Sequence, residues 1–385
     1  MDNLIEEIRR GFRERSGEKP LLIVSPGRVN LIGEHTDYNE GFVLPGATDK
    51  AIVFALAPRT DDVCRFVSRD FGQEFTGDVR EPSRSSLGWP NYLLGVVDQF
   101  RRQGYAVRGF DCVFGGNIPI GAGMSSSAAI EGGLAFGLDR IFGFGLDGIT
   151  LARLAQKAEN EFVGVRCGIM DQFINIHGRE KKVLKLDCRS LAYDYYPFER
   201  ADLRVVVSDT LVRRELALSE YNVRRRQCED GAALLRKYSP AVSSLRDVSA
   251  GMLEEHRKEF DPVVYKRCEY VVQENLRVGL ACDDLLRGDF KKFGERMYAS
   301  HAGLRDDYHV SCAELDALVE AAARVDGVLG ARMMGAGFGG CAISLVEEKA
   351  VDSFRERVSL EYERGFGKSP KIHVIRIEAG THAVD

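Results

Sequence analysis

Four side chains able to exchange protons or hold a polar ligand fall within ten residues of one another in SPGRVNLIGEHTDYNEGFVLP (25–45): Arg28, Glu34, His35 and Asp37. Gly27, Gly33 and Gly41 allow the backbone sharp turns between them. Alternating donors and acceptors of this kind suit a polyhydroxylated ligand, because each hydroxyl both donates and accepts. A polar surface loop with satisfied turns is the alternative, and the segment alone does not separate the two.

Two glycine-dense segments suggest a second kind of chemistry. In GNIPIGAGMSSSAAIEG (116–132), three glycines and three serines precede an alanine-rich helical run. Backbone N–H groups and hydroxyls there converge where a helix dipole favours an anion, which describes a phosphate cradle of non-Walker type. A helix N-cap would need only one serine, so phosphate is the stronger reading. ARMMGAGFGGCAISL (331–345) sits between two strand-like runs and fits either close approach of backbone to a ligand or a tight bulged hairpin.

Phosphate binding calls for a metal ligand and, if a group is transferred, a base. Glu159 is a candidate to join a serine hydroxyl on Mg²⁺, which prefers a few hard oxygens plus phosphate. Asp171 follows Gly168 in an apolar setting of Ile169, Met170 and Phe173, either as the buried partner of an arginine or as a positioned base.

The elements that must position these groups follow from periodicity. Leu4, Ile5, Ile8 and Phe12 predict a helix over 3–14, and LLIVS (21–25) a buried strand. Strands are expected in FVLPG, AIVFALA and VCRFVSR (42–69), a helix over 89–104, a strand over 110–116 and a second helix over 149–162. VLKLDC (183–188) and LRVVVSD (203–209) read as a β-like pair. Long amphipathic helices follow at 215–236, 262–286 and 311–324, before strands in VLGARMM, CAISLV and KIHVIRI with a helix at 348–363. This change of texture predicts two closely packed α+β domains, 1–195 and 196–385, with no solenoid repeat.

Composition narrows the class. Of 385 residues, 40 are glycine against roughly 27 at average usage. With 11 prolines, 44% hydrophobic residues and no G-X-Y period, the chain is globular rather than collagenous or disordered. A net charge of −5 leaves no footprint for nucleic acid or an anionic membrane. The cluster from Arg213-Arg214 to Arg224-Arg225-Arg226 is interleaved with Glu215, Glu220, Glu229 and Asp230, and reads mainly as a solvated helix face, with a share in holding phosphate as the alternative. Nine scattered cysteines, a charged beginning and no apolar run of 18 residues predict a cytoplasmic protein without a membrane span.

Several familiar motifs fail in context. GAGFGG (335–340) satisfies G-x-G-x-x-G but runs into a strand, not a helix, too near the end for a dinucleotide fold. GFGKS (365–369) has Tyr362 where a Walker A loop needs glycine. Asp70-Phe71-Gly72 spells D-F-G, but no H-R-D accompanies it and no H-E-x-x-H is present, which argues against a protein kinase and makes a zinc site improbable.

GRVNLIGEHTDYN (27–39) resembles the galactokinase signature, and IPIGAGMSSSAA (118–129) and ARMMGAGFGG (331–340) are similar to the second and third motifs of the GHMP small-molecule kinase superfamily. CGIMDQF (167–173), LALSEYNVRRRQCE (216–229) and SHAGLRDDYHVSCAELD (300–316) extend the resemblance over most of the chain. It implies a two-domain α+β fold with the site in the cleft between domains, and ATP-dependent phosphorylation of D-galactose at its anomeric hydroxyl. By the same resemblance Asp171 is the catalytic aspartate and Arg28 the transition-state arginine. Glu34, His35, Thr36, Asp37, Gly168 and Tyr221 would hold the sugar. Gly121, Ala122, Gly123, Met124, Ser125, Ser126 and Ser127 would form the ATP phosphate loop, Ser127 and Glu159 would bind Mg²⁺, and Ser68 would lie near the nucleotide.

Met124, Met334, Arg214, Gly303 and His309 depart from the commonest pattern, where leucine, threonine, histidine, serine and glutamate respectively are usual. A kinase of N-acetylgalactosamine or a related sugar is the alternative. A non-catalytic sugar and ATP sensor is a second, opposed by the intact Ser125–Ser127, Glu159, Asp171 and Arg28. A monomer or weak oligomer is expected.

Overall fold

The computed structural model describes residues 1–384 except 18, 120 and 213–216, with 217–219 described by their backbone. Arg213 and Arg214 of the basic cluster therefore lie outside the described residues.

The first helix, Asp2–Ser16, forms because Ile8 and Phe12 repeat at i, i+4 and are buried together; Gly17 closes it in a left-handed conformation (φ +71°). It covers one face of a six-stranded sheet whose order is His382–Val384, Leu21–Asn30, Pro45–Pro58, Phe110–Gly116, Val63–Ser68, Gln73–Asp78. All pairings are antiparallel except that of Val63–Ser68 with Phe110–Gly116. Both faces of Pro45–Pro58 are buried: Ile52, Phe54 and Leu56 enter the main core, while Val53, Ala55 and Ala57 meet the first helix's cluster.

Against the main-core face lies the helix Ser126–Phe142. Its glycines permit contact no side chain would, since a Cβ on Gly133 would sit 2.4 Å from the Phe54 ring and one on Gly132 2.0 Å from Asn175 Oδ1. This close packing clamps the serine segment between the sheet and the helix Met170–His177.

The second half is built on a four-stranded antiparallel sheet ordered Val328–Met334, Cys341–Glu347, Leu203–Asp209, Lys371–Ile375. Helices Ala217–Arg236, Pro262–Leu286, Phe290–Asp306, Ala313–Ala323 and Val351–Phe366 accompany it. The helix Phe290–Asp306 is absent from the sequence expectations because Gly294 and Gly303 depress its propensity. Gly294 is there for packing, as its Cβ would fall 1.9 Å from Leu329 O.

Two further expectations change. Residues 183–188 and 203–209 do not pair: Lys182–Asp187 joins Phe42–Val43 and Tyr193–Pro197 in a small third sheet, whereas Leu203–Asp209 is interior to the four-stranded one. The helix expected over 149–162 is α-helical only over Gly148–Lys157 and continues as a π-helical turn, Ala158–Val163.

The two halves share one core, in which Leu31, Ile32 and Leu44 pack with Val278, Met297 and Met334. The final strand, His382–Val384, returns to pair with Leu22–Val24 in the N-terminal sheet. All nine cysteines are free, and no described helix is long and apolar enough to cross a membrane.

Candidate active site

Arg28 lies where the register of Leu21–Asn30 against its neighbour slips between Pro26 and Arg28, an irregularity that re-aims a side chain. Its guanidinium grips Asp171, in the first turn of Met170–His177, through both oxygens: Nε to Oδ1 at 2.8 Å and Nη2 to Oδ2 at 2.8 Å. Arg28 Nη1 also donates to the carbonyl of Gly123, and the Ser125 hydroxyl donates to Asp171 Oδ2. Burial works against the charge on Arg28, but Asp171, Glu34 and Asp37 outweigh it and hold the group above its ordinary pKa.

The phosphate-loop motif is thus bonded to both Arg28 and Asp171. Arg28 N–H adds a bond to Met124 O at 3.1 Å, and a Cβ on Gly27 would stand 2.7 Å from that same oxygen. Ser125 precedes Ser126–Phe142 in a left-handed conformation (φ +56°) and makes no side-chain capping bond, because its hydroxyl is given to Asp171. A plain N-cap therefore does not account for it. Gly121 and Gly123 also have positive φ, 81° and 65°, which turns the loop tightly ahead of the uncapped helix terminus.

Glu34 is held by the other half of the molecule. Its Oε1 accepts from Arg332 Nη2 at 2.8 Å and from Gly335 N–H at 2.9 Å. Arg332 is fully buried and also donates to the carbonyls of Asn30, Leu31 and Met333 at 2.7, 2.8 and 3.0 Å. The third glycine motif therefore serves the sugar-signature loop directly. Sequence reasoning missed Arg332, although a lone arginine in an apolar strand has to find a buried partner.

Asp37 sits against Gly168 so closely that a Cβ there would fall 1.8 Å from Asp37 Oδ2. Gly168→Ala should displace the carboxyl and weaken by about tenfold or more the binding of any ligand that Asp37 holds; unchanged ligand affinity would refute the contact. Burial, followed by the neighbouring Asp171 charge, pushes the Asp37 pKa up to about 7. Raising a carboxyl's pKa stabilises the fold below its unfolded value and loses that contribution as pH rises through the folded one. Asp37→Asn should accordingly match the wild type near pH 4 and become more stable by up to about 4 kcal/mol above pH 7. Thermal melts across that range would show it, and parallel curves would contradict it.

His35 has positive φ (62°), and burial lowers its pKa to about 3, so its ring is neutral. The Tyr221 ring lies 5.6 Å from that of His35, and burial raises its hydroxyl pKa well above the usual value. Arg28, Glu34, His35, Asp37, Gly168, Asp171 and Tyr221 surround one cavity of about 190 Å³, with Val165, Cys167, Met170, Gly335 and Ala336 completing the wall. That volume suits a single sugar ring, being below the ~300–1,000 Å³ of larger ligand sites.

Of the residues expected to hold the sugar, only Thr36 does not line this cavity. Thr36 is buried beneath the loop, with its hydroxyl committed to the carbonyls of Gly33 and Phe42 at 2.9 and 2.6 Å. Its place is structural because those bonds close the turn. Ser68 ends the strand Val63–Ser68, accepts from Phe71 N–H at 3.4 Å and borders a separate groove beside the first helix.

Glu159 occupies the π-helical turn, a distortion that recurs at functional positions because it re-aims a side chain within a helix. Its buried carboxyl accepts from Gln172 Nε2 at 2.7 Å, and the nearby Ser127 hydroxyl favours its charged form. Gln172 Nε2 also reaches Glu131 at 3.2 Å, while Glu131 Oε1 and Gln172 Oε1 have no partner although buried. Burial raises the pKa of both glutamates. Sequence reading missed Glu131 and Gln172, although Glu131 follows Ser127 by four residues and therefore shares its helical face.

Residues 10–58 match the galactokinase galactose-binding signature, 91–179 the GHMP kinases N terminal domain and 281–364 the GHMP kinases C terminal family. A galactokinase from Roseiflexus sp. (strain RS-1) is 42% identical over 379 residues, 98% of this chain and 97% of that protein. The crystal structure of Lactococcus lactis galactokinase complexed with galactose superposes with a TM-score of 0.93 at 36% identity, covering 98% of this chain and 99% of that one. Methanococcus jannaschii mevalonate kinase shares the fold alone, with a TM-score of 0.62 at 18% identity over 94% and 99% of the two chains.

Proposed function

The chain belongs to the galactokinase family of the GHMP kinases, and from that premise we propose how its residues divide the work of phosphorylating galactose. Galactokinase activity and the use of ATP go with the family. The anomeric acceptor position, the residue roles and the metal are our reading.

One observation carries it: the sugar-signature strand, the phosphate-loop motif and the aspartate helix meet at Arg28, Ser125 and Asp171. Galactose occupies the cavity with its anomeric hydroxyl toward Asp171, and the γ-phosphoryl group lies between that hydroxyl and the loop Gly121–Ser127. Phosphoryl transfer through a loose transition state asks the protein mainly for positioning and charge stabilisation. Asp171 takes the hydroxyl proton as the oxygen bonds to the γ-phosphorus, whose bond to the β,γ-bridging oxygen breaks so that ADP leaves. Arg28, fixed by two bonds to Asp171, stays where negative charge develops on the transferred group. Glu34, immobilised by Arg332 and Gly335, and Asp37, seated on Gly168, offer acceptors to sugar hydroxyls; His35 and Tyr221 complete the wall.

The residues present fit a magnesium ion. Ser127 and Glu159 present hard oxygens side by side, an orphaned Glu131 oxygen lies next to them, and no described cluster of three or more His, Cys, Asp or Glu could hold a metal alone. Such a site would rely on nucleotide phosphates to complete its shell. Bound there, the ion would neutralise charge on the β- and γ-phosphates. Ser68, outside the sugar cavity, is proposed only as a neighbour of the nucleotide. We also propose a division near residue 195 with the last strand returned to the first domain, a cytoplasmic location and a monomer or weak oligomer.

Incubation with ATP, Mg²⁺ and a panel of sugars, followed by ³¹P NMR of the products, tests the reading. Galactose 1-phosphate is the expected product. Turnover of N-acetylgalactosamine in preference to galactose, or binding of sugar and ATP without ADP release, would overturn it.

A further inference from the structure

Two glycines of the sugar-signature loop are bare for a reason other than a ligand. A Cβ on Gly41 would stand 2.2 Å from Asn275 Oδ1, and one on Gly33 2.9 Å from Val278 Cγ2. Both neighbours lie on the helix Pro262–Leu286, which belongs to the second half of the molecule. The segment 33–42, which carries Glu34, His35 and Asp37, is therefore pressed at both ends against one helix of the opposite half.

That helix also binds the backbone of the segment. Gly33 N–H donates to Glu274 Oε1 at 2.9 Å, Phe42 N–H donates to Asn275 Oδ1 at 2.9 Å, and the Tyr270 hydroxyl donates to the Glu34 carbonyl at 3.1 Å. Every direction is fixed by chemistry, since a backbone N–H can only donate and a carbonyl can only accept. Tyr270, Glu274 and Val278 recur at i, i+4 and i+8 and are all buried, so one stripe of the helix meets the loop, with Asn275 beside it. Glu274 is held in its turn: the Ser300 hydroxyl donates to its Oε1 at 2.7 Å, and the Arg277 guanidinium pairs with its Oε2. Gly33 and His35 have φ of +97° and +62°, so this stretch cannot join a β-ladder and its buried amides need partners from elsewhere.

We propose that Tyr270, Glu274 and Asn275 are positioning residues for the sugar site: by fixing both ends of the segment 33–42 from the second half of the molecule, they set where Glu34, His35 and Asp37 stand in the cavity. None of the three lines that cavity, so they act on affinity for the sugar through the loop. The proposal rests on reading the cavity as the galactose site.

Steady-state kinetics of the whole protein, with each substrate varied in turn, test it. Asn275→Ala leaves Phe42 N–H without its acceptor and should raise the galactose KM about fivefold, with kcat within about twofold and the ATP KM unchanged. Asn275→Asp keeps an acceptor oxygen and should restore the galactose KM. Tyr270→Phe keeps the ring but loses the donor to the Glu34 carbonyl, and should behave as Asn275→Ala does. Gln273→Ala, on the exposed side of the same helix, should match the wild type. A wild-type galactose KM in both Asn275→Ala and Tyr270→Phe, equal rises in the KM of galactose and of ATP, or no restoration by Asn275→Asp overturns the positioning role. Amide hydrogen exchange of the ligand-free wild type, followed by NMR, needs no variant to fold. The Gly33 and Phe42 amides should exchange slowly, and exchange of either at the rate of a free peptide overturns the proposal. A protein inactive on galactose would overturn the site reading instead, while leaving the slow exchange in place.

Discussion

Asp171→Asn should lower kcat by roughly 10³-fold while leaving the dissociation constant for galactose within a few-fold of wild type. The substitution keeps size and shape but removes the carboxylate that the proposed mechanism uses to take the hydroxyl proton. It also replaces one of the two oxygens gripped by Arg28 with an amide that cannot accept. Arg28 retains the Gly123 carbonyl and the nearby charges of Glu34 and Asp37, so it stays in place with less constraint. Sugar binding survives because Glu34, His35, Asp37 and Tyr221 keep their own supports. Calorimetric titration with galactose and single-turnover kinetics separate the two quantities. Turnover at the wild-type rate would remove Asp171 from the mechanism, and a matching collapse of binding would make it a sugar ligand rather than a base.

Arg332→Met should destabilise the protein by about 3–5 kcal/mol, the largest stability loss expected of a single substitution at this site. Methionine fills the volume but abandons Glu34, which is 4% exposed, to a single remaining bond from Gly335 N–H. Three backbone carbonyls, of Asn30, Leu31 and Met333, lose their donor at the same time. The melting temperature should fall by on the order of 10 °C, and surviving enzyme should bind galactose more weakly because Glu34 is no longer aimed. Arg80→Met, on an exposed ion pair with Asp78, is the control and should leave the melt unchanged. A similar melt for the two variants would show that Glu34 does not depend on Arg332.

Legibility differed among the parts of the site for identifiable reasons. Arg28, Glu34, His35 and Asp37 stand within one short loop, and Gly121–Ser127 within another, so their grouping was visible as spacing. The role of Gly168 was legible only through the family resemblance, because the reason for its missing side chain is Asp37, over 130 residues earlier. Thr36 shares the motif with its neighbours, and adjacency alone could not reveal that its hydroxyl turns inward to Gly33 and Phe42. The π-helical turn at Glu159 was hidden because an ordinary α-helical period describes its sequence equally well. The strand partners of 183–188 and 203–209 were misjudged for a related reason: alternation identifies a strand and says nothing about which sheet receives it.

By itself the sequence determined which chemical groups are available, that they come in glycine-rich segments able to approach a ligand, and which family the chain resembles. Those are properties of residue type and short spacing, set by covalent connectivity. Tertiary structure alone decided which groups meet: Arg28 with Asp171, Arg332 with Glu34, Ser125 with Asp171 rather than its own helix, and Tyr38 with Tyr308. The partners Arg28 and Asp171 are 143 residues apart, and Arg332 and Glu34 298 apart. Contacts across such separations are chosen by how whole sheets and helices bury their apolar faces, and no local pattern encodes that choice.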